Sequence, residues 1–170
     1  SEVWRYELGA GEVRGSAVLD SRGAVYFVAE TGRVQEVASG TAPSGDHSES
    51  HLKLIKLSNP DTGTPRILWE RVIAREGEVY DLGQITPTIS KSDVIVVGGP
   101  SVKAYRANGI EMWTFSPGSS TEEFYNSPIV IGNLVFINSD GGASDSAPAT
   151  ANGIYAIDIW SGRERWSYTP

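Results

Sequence analysis

The sequence predicts an all-β fold of repeated four-stranded antiparallel sheets, about three of them in 170 residues. Three observations carry that expectation. No window of a dozen residues holds a helical apolar stripe free of Gly or Pro. Short β-rich runs alternate instead with turn residues, drawn from 19 Gly and nine Pro. Finally, Trp4, Trp69, Trp113 and Trp166 recur at intervals of 65, 44 and 53 residues, each opening or occupying a similar segment.

The expected strands, in order, are 15–19, 25–29, 52–57, 67–72, 85–89, 94–97, 102–106, 111–115, 128–131, 134–138, 154–159 and 165–168. Turn signals separate them: Ser21-Arg22-Gly23, Asp61-Thr62-Gly63, Asn108-Gly109, Gly132-Asn133 and Ser161-Gly162. Each interval between Trp residues repeats one order. A loop leads to a first strand (Ser16–Leu19, Thr86–Ile89, Ser127–Val130). A tight turn leads to an apolar strand (Val25–Val28, Val94–Val97, Leu134–Ile137). A second loop leads to an alternating strand (Leu52–Leu57, Val102–Tyr105, Ile154–Asp158), and a Gly turn leads to the next Trp. Four strands per unit at this period is the signature of a propeller blade. The boundaries that follow are an outer strand at 1–8 and blades at 9–72, 73–116 and 117–170.

The last unit runs Ala156-Ile157-Asp158-Ile159-Trp160-Ser161-Gly162-Arg163-Glu164-Arg165-Trp166 and fits Ala-x-Asp-x-x-Thr/Ser-Gly-x-x-x-Trp. It resembles the tryptophan-docking repeat of the quinoprotein-like (PQQ-like) β-propellers. The second unit keeps Ala104, Gly109 and Trp113 but is one residue shorter, with Arg106 in place of the Asp. The first keeps Asp61-Thr62-Gly63 and Trp69 and carries insertions. Packing explains the pattern. A small Ala lets a neighbouring blade approach, Gly takes positive φ in the turn, and Trp fills the wedge between blades. Trp69, Trp113 and Trp166 are therefore expected to be mostly buried and structural. Trp160 is off-register, which suits a surface or binding position.

Composition narrows the function. Zero Cys excludes disulfides, thiolate metal sites and cysteine nucleophiles. Two His leave little for a Ser-His-Asp triad. A net charge of −7 argues against nucleic acid, whose phosphates require a basic face. No run approaches the roughly 18 apolar residues of a membrane span.

Propeller loops alternate between two faces, and segments 8–15, 30–52, 73–84, 115–126 and 138–152 fall on one of them. They hold 12 of the 21 acids and three bases, Arg14, Arg33 and Arg75. Such a field attracts cations and basic partners. Solubility is the plain alternative. Within this face the loop before each first strand contains Glu12-Val13-Arg14, Glu78-Val79-Tyr80-Asp81 or Glu123-Phe124-Tyr125-Asn126. Glu12, Glu78 and Glu123 would then stand at matching positions near the central channel, able to hold a hard cation or to cap turns. Tyr80, Phe124 and Tyr125 would offer a stacking platform or pack the loops down. The candidate ligand residues are thus Glu12, Glu78, Tyr80, Asp81, Glu123, Phe124 and Tyr125. Two weaker groups are His47 with His51, four apart but in a Gly/Pro-flanked loop, and the Asn138–Asp145 loop, which lacks calcium-loop spacing.

The resemblance implies a non-catalytic scaffold binding a protein, peptide or cation. It is similar to propellers that scaffold assembly at the bacterial outer membrane and to sensor domains that bind peptides. It also implies a periplasmic or extracellular setting. The alternatives are a fragment of a quinoprotein dehydrogenase using pyrroloquinoline quinone and calcium, and a carbohydrate-binding propeller. The missing Cys and the small number of blades weigh against the dehydrogenase, so no cofactor is expected. Three blades do not close a ring. Either the chain is part of a longer propeller or its open terminal blades associate, two copies giving six blades.

Overall fold

The computed structural model describes residues 4–8, 11–31, 51–59, 63–75, 84–117, 122–141 and 152–169. Among these there is no helix, and the strands assemble into three four-stranded antiparallel sheets. The first sheet orders β1 (Glu12–Leu19), β2 (Val25–Thr31), β3 (His51–Leu57) and β4 (Ile67–Arg75). The second orders β5 (Thr88–Ile89), β6 (Ile95–Val97), β7 (Val102–Tyr105) and β8 (Glu111–Phe115). A two-residue strand β9 (Glu122–Glu123) follows. The third sheet comprises β10 (Ile129–Ile131), β11 (Leu134–Asn138), β13 (Ile154–Asp158) and β14 (Glu164–Tyr168); between its second and third strands, β12 (Asp140–Gly141) leaves to pair with β9. This is the all-β, partial propeller that the repeat predicts.

Strand register aligns the repeat. One row across the first sheet is Val18, Tyr26, Lys56 and Trp69. The matching rows are Thr88, Val96, Ala104, Trp113 and Ile129, Phe136, Ala156, Trp166. In the second and third sheets the small Ala lies directly opposite the Trp, which leaves room for the indole. In the first, Lys56 takes the Ala position. Its ammonium lies over the Tyr26 ring, 4.9 Å from the centroid, and reaches Asp20 at 3.2 Å and the Ala107 carbonyl at 2.9 Å.

Each covered row packs on the next sheet. Trp69 donates its indole N–H to the Ala107 carbonyl at 3.0 Å, and Trp113 donates to Ile159 at 2.8 Å. Gly109 and Gly162 take φ of 81° and 67°, and a Cβ there would stand 2.9 and 2.6 Å from the Trp rings. Turn conformation and close approach therefore both require glycine. Trp4 makes the same reach onto the first sheet, where its indole donates to the Asn59 side chain at 3.0 Å. Tyr6 and Leu8 pack beside it on Phe27, Ala29, Ile55 and Leu57. Residues 4–8 pair in no sheet; they lie across the outer face of the first one.

A second set of contacts links the innermost strands. Ser16 N–H donates to Thr86 Oγ1 at 2.9 Å, and Thr86 N–H donates to Ser127 Oγ at 3.1 Å. The Thr88 hydroxyl donates to the Pro128 carbonyl. Aligned hydroxyls thus tie each first strand to its neighbour. Besides the cluster under residues 4–8, the apolar core divides between the two inter-sheet gaps. Tyr26, Val28, Leu54, Ile95, Val97 and Tyr105 fill one, and Val96, Ala104, Trp113, Phe115, Val135 and Ile157 fill the other.

The expectation that Trp166 is buried is corrected. It is 47% exposed and leans on Phe136 of its own sheet, with ring centroids 6.0 Å apart. Its row has no following sheet to cover it among the described residues. Trp113, 8% exposed, and the half-buried Trp69 have neighbours and are covered by them.

Candidate functional site

Glu12, Glu30, His51 and Arg75 mark one end of the first sheet, the end from which the sequence leads into its long acidic connections. Glu12 opens β1 rather than sitting in a loop, and it stands directly opposite Glu30 of β2. Like charges in that position repel. Arg14, two residues on, reconciles them: its Nη2 lies 2.6 Å from Glu30 and 3.1 Å from Glu12. Glu30 is buried, whereas most of the Glu12 carboxylate side chain faces water. The Arg14 Nε is buried without a hydrogen-bond partner.

The third sheet repeats the arrangement on its ribbon. Glu123 of β9 stands opposite Asp140 of β12. Neighbouring Glu122 accepts a hydrogen bond from the Tyr155 hydroxyl. Burial first, and then this carboxylate, push the Tyr155 hydroxyl up to about 12. Two acid-against-acid pairs therefore mark the same end of two sheets. Glu78, Tyr80 and Asp81, which the repeat would place in the middle unit, lie outside the described residues, as do His47 and much of the Asn138–Asp145 loop.

The aromatic platform does not form from Phe124 and Tyr125. Phe124 is fully buried between Phe115 and Tyr155, at centroid distances of 6.1 and 5.7 Å. Its backbone pairs both ways with Gly99, at 2.9 and 2.7 Å. Tyr125 is buried in the core between the first and second sheets. Both rings pack the segment down and leave no face for a ligand. The physical reason is that the gaps between sheets must be filled, and large aromatic rings fill them. Trp160 is exposed on its turn, as its register suggests.

The turn at Asp158 shows why the repeat carries an Asp there. One carboxylate oxygen accepts from the N–H of Trp160 and of Ser161 and from the Ser161 hydroxyl; the other accepts from Arg165 at 2.7 Å. Arg165 first, then the Ser161 amide, hold this carboxyl well below the usual aspartate range. At Asp20, burial raises the carboxyl, but hydrogen bonds from Tyr26, Ala24 N–H, Lys56 and Arg22 N–H outweigh it and leave it lowered. Both groups serve turns, not a reaction centre.

One feature of this end escapes sequence reasoning. An open cleft of about 490 Å³ is lined by Asn126, Asn138, Ser139, Asn152, Gly153, Ile154 and Tyr168. Three carboxamides from separate segments converge only through the register of β11 and β13. The signal available in sequence was the Asn at both ends of the 138–152 loop. Among the described residues no three His, Cys, Asp or Glu side chains converge to hold a metal ion. Nor is any helix among them long and apolar enough to cross a membrane.

Comparison with known proteins agrees with this architecture. No curated protein matches the chain. Among solved structures 33 chains match. One is the crystal structure of BamB from Moraxella catarrhalis, with a TM-score of 0.55 and 16% identity over 98% of this chain and 39% of that one. At such identity the likeness is one of fold, and this chain spans well under half of that protein's length. A family model described as outer membrane protein assembly factor BamB matches residues 49–168. This chain belongs to that family, the BamB-like group of PQQ-like β-propellers.

Proposed function

We propose that this chain is a non-catalytic propeller module that binds protein through its acidic long-loop face, with a basic peptide segment as the ligand. The observation that carries the reading is the pair of opposed acids at the mouths of two sheets, Glu12 with Glu30 and Glu123 with Asp140. Acidic residues gathered at one end of the sheets give that face a field that attracts a basic segment. The name of the matching family, an outer membrane protein assembly factor, supports a protein partner and a periplasmic or extracellular setting. Blade boundaries at 9–72, 73–116 and 117–170 belong to the same reading. So does self-association through the open side of the third sheet. This reading includes no resident cofactor.

Titration calorimetry with a Lys/Arg-rich peptide and its Glu-substituted counterpart tests this function. The basic peptide should bind, weaken as salt screens the face, and weaken several-fold in the Glu12→Gln, Glu123→Gln double variant. Equal binding of both peptides would overturn the reading. So would alcohol oxidation above the no-protein control after addition of pyrroloquinoline quinone and calcium.

A further inference from the structure

In each sheet the four strands run antiparallel in chain order, so the turns from first to second strand and from third to fourth share one end, opposite Glu12 and Glu30. Contacts between sheets hold these turns together. The Ser21 N–H and hydroxyl donate to Asp93 at 3.2 and 2.7 Å. Lys56 and Trp69 both donate to the Ala107 carbonyl, and Trp113 donates to the Ile159 carbonyl.

Charge is sorted at this end. The acids of the described turns face inward. Asp20 holds the Arg22 and Ala24 amides, the Tyr26 hydroxyl and Lys56. Asp158 is taken up by its own turn and Arg165, and Asp93 by Ser21. The bases face outward. Arg22, Arg66, Lys91, Arg106 and Arg163 are exposed, and none of their side chains makes an ion pair among the described residues. All three sheets contribute. Glu111 and Glu164 are exposed as well, but they open the outermost strands and accept from the Thr114 and Ser167 hydroxyls.

Apolar side chains stand among these bases. Ile110 is 57% exposed and Trp160 50%. Ile110 belongs to the turn of the second sheet, which is packed on both sides. Trp160 occupies the tip of the same turn in the third sheet, where the second has Asn108, also exposed. Exposure is therefore a property of this turn and not of a missing neighbour. Bases spread over three sheets, with an indole and an aliphatic side chain between them, suit a broad anionic surface with an apolar layer beneath. Cations meet the headgroup phosphates there, and Trp sits at the boundary.

We propose that this short-turn end of the sheets docks onto an anionic lipid surface, with Arg22, Arg66, Lys91, Arg106 and Arg163 at the headgroups and Trp160 at the boundary. The acidic end then faces away from the bilayer. The two ends act separately, so the inference holds whether or not the acidic end takes a basic peptide.

Vesicle co-sedimentation of the full chain is the test, with phosphatidylcholine vesicles and with phosphatidylcholine vesicles containing phosphatidylglycerol. The chain should sediment with the second kind and not the first, and salt should release it. Lys91→Glu with Arg106→Glu should weaken partitioning at least about tenfold, and Glu12→Gln with Glu123→Gln should not weaken it. Should the charge-reversed variant fold poorly, fluorescence decides independently. Brominated lipid in the anionic vesicles should quench the unmodified chain, and Trp160→Phe should abolish that quenching. Failure to sediment with the anionic vesicles, equal binding to both kinds, or quenching that persists in Trp160→Phe overturns the proposal. Capture by immobilised polyglutamate without vesicle binding would assign this end to an acidic protein instead and overturn it too.

Discussion

Trp113 lies so close to Gly162 that a Cβ there would stand 2.6 Å from its ring, and both belong to a contact that joins the second sheet to the third. The two residues are 49 apart in sequence, each in its own copy of the repeat. Their neighbours Ala104 and Ile159 complete the seat, one as the small residue opposite the Trp and the other as the carbonyl that accepts its N–H. The fold is held by contacts of this kind between sheets and by backbone ladders within them. Unequal coverage of the tryptophans gives the first prediction.

Trp113→Ala should destabilise the chain by about 3–5 kcal/mol, as truncation of a core aromatic does. Trp166→Ala, at an exposed site, should cost within about 0.5 kcal/mol in dilute solution. Urea unfolding of the two variants checks the contrast. Equal losses would mean that the two tryptophans share one environment.

Lys56 gives the second prediction. It stands where the repeat has Ala, and both it and Asp20 are buried. Lys56→Ala restores the small residue but strands the Asp20 carboxylate beside Tyr26. The expected cost is about 3 kcal/mol, the low end for a broken buried pair, because the Arg22 and Ala24 amides still hold the carboxylate. The Asp20 carboxyl should also move up, measurable by carboxyl carbon NMR titration.

Asp158 gives a prediction in pH. Its folded carboxyl is lowered by Arg165 and the Ser161 amide, so its contribution is full above the unfolded value of about 3.9. That contribution is lost as pH falls through the lowered folded value. Melting curves should show a constant deficit for Asp158→Asn from neutrality down to about pH 5, converging with the unmodified chain in stronger acid. A deficit that grows in acid would contradict the assignment.

Gly98 tests the mooring of the acidic ribbon. A Cβ there would stand 2.0 Å from the Phe124 carbonyl oxygen, so Gly98→Ala must push Phe124 away from Gly99. We expect a loss of about 1–3 kcal/mol and faster amide exchange at Phe124. An unchanged Phe124 amide would show that the pairing does not hold this segment.

The architecture was legible because the repeat is written in residue types with only one use. Ala104, Gly109 and Trp113, and Ala156, Asp158 and Gly162, each take the place their pattern implies. Other features depend on what a side chain meets across a gap, which spacing does not encode. Phe124 and Tyr125 look like a platform in sequence, yet they fill the spaces between sheets. Trp166 carries the full repeat, but its burial depends on a neighbouring sheet. The β9–β12 ribbon has two residues per strand, too few for any periodicity to show. Lys56 at an Ala position is intelligible only once Asp20 is seen beside it.

The central claim is that successive sheets are locked by a tryptophan seated on the glycine turn of the next. A double-mutant cycle between Trp113→Ala and Gly162→Ala, read by urea unfolding, tests it most directly. Gly162→Ala alone combines backbone strain at φ 67° with displacement of the ring; without the ring, only the strain remains. The account predicts that the double variant loses less than the sum of the singles, by more than about 1 kcal/mol. Additivity within about 0.3–0.5 kcal/mol would show that the two residues do not act together and would contradict the lock.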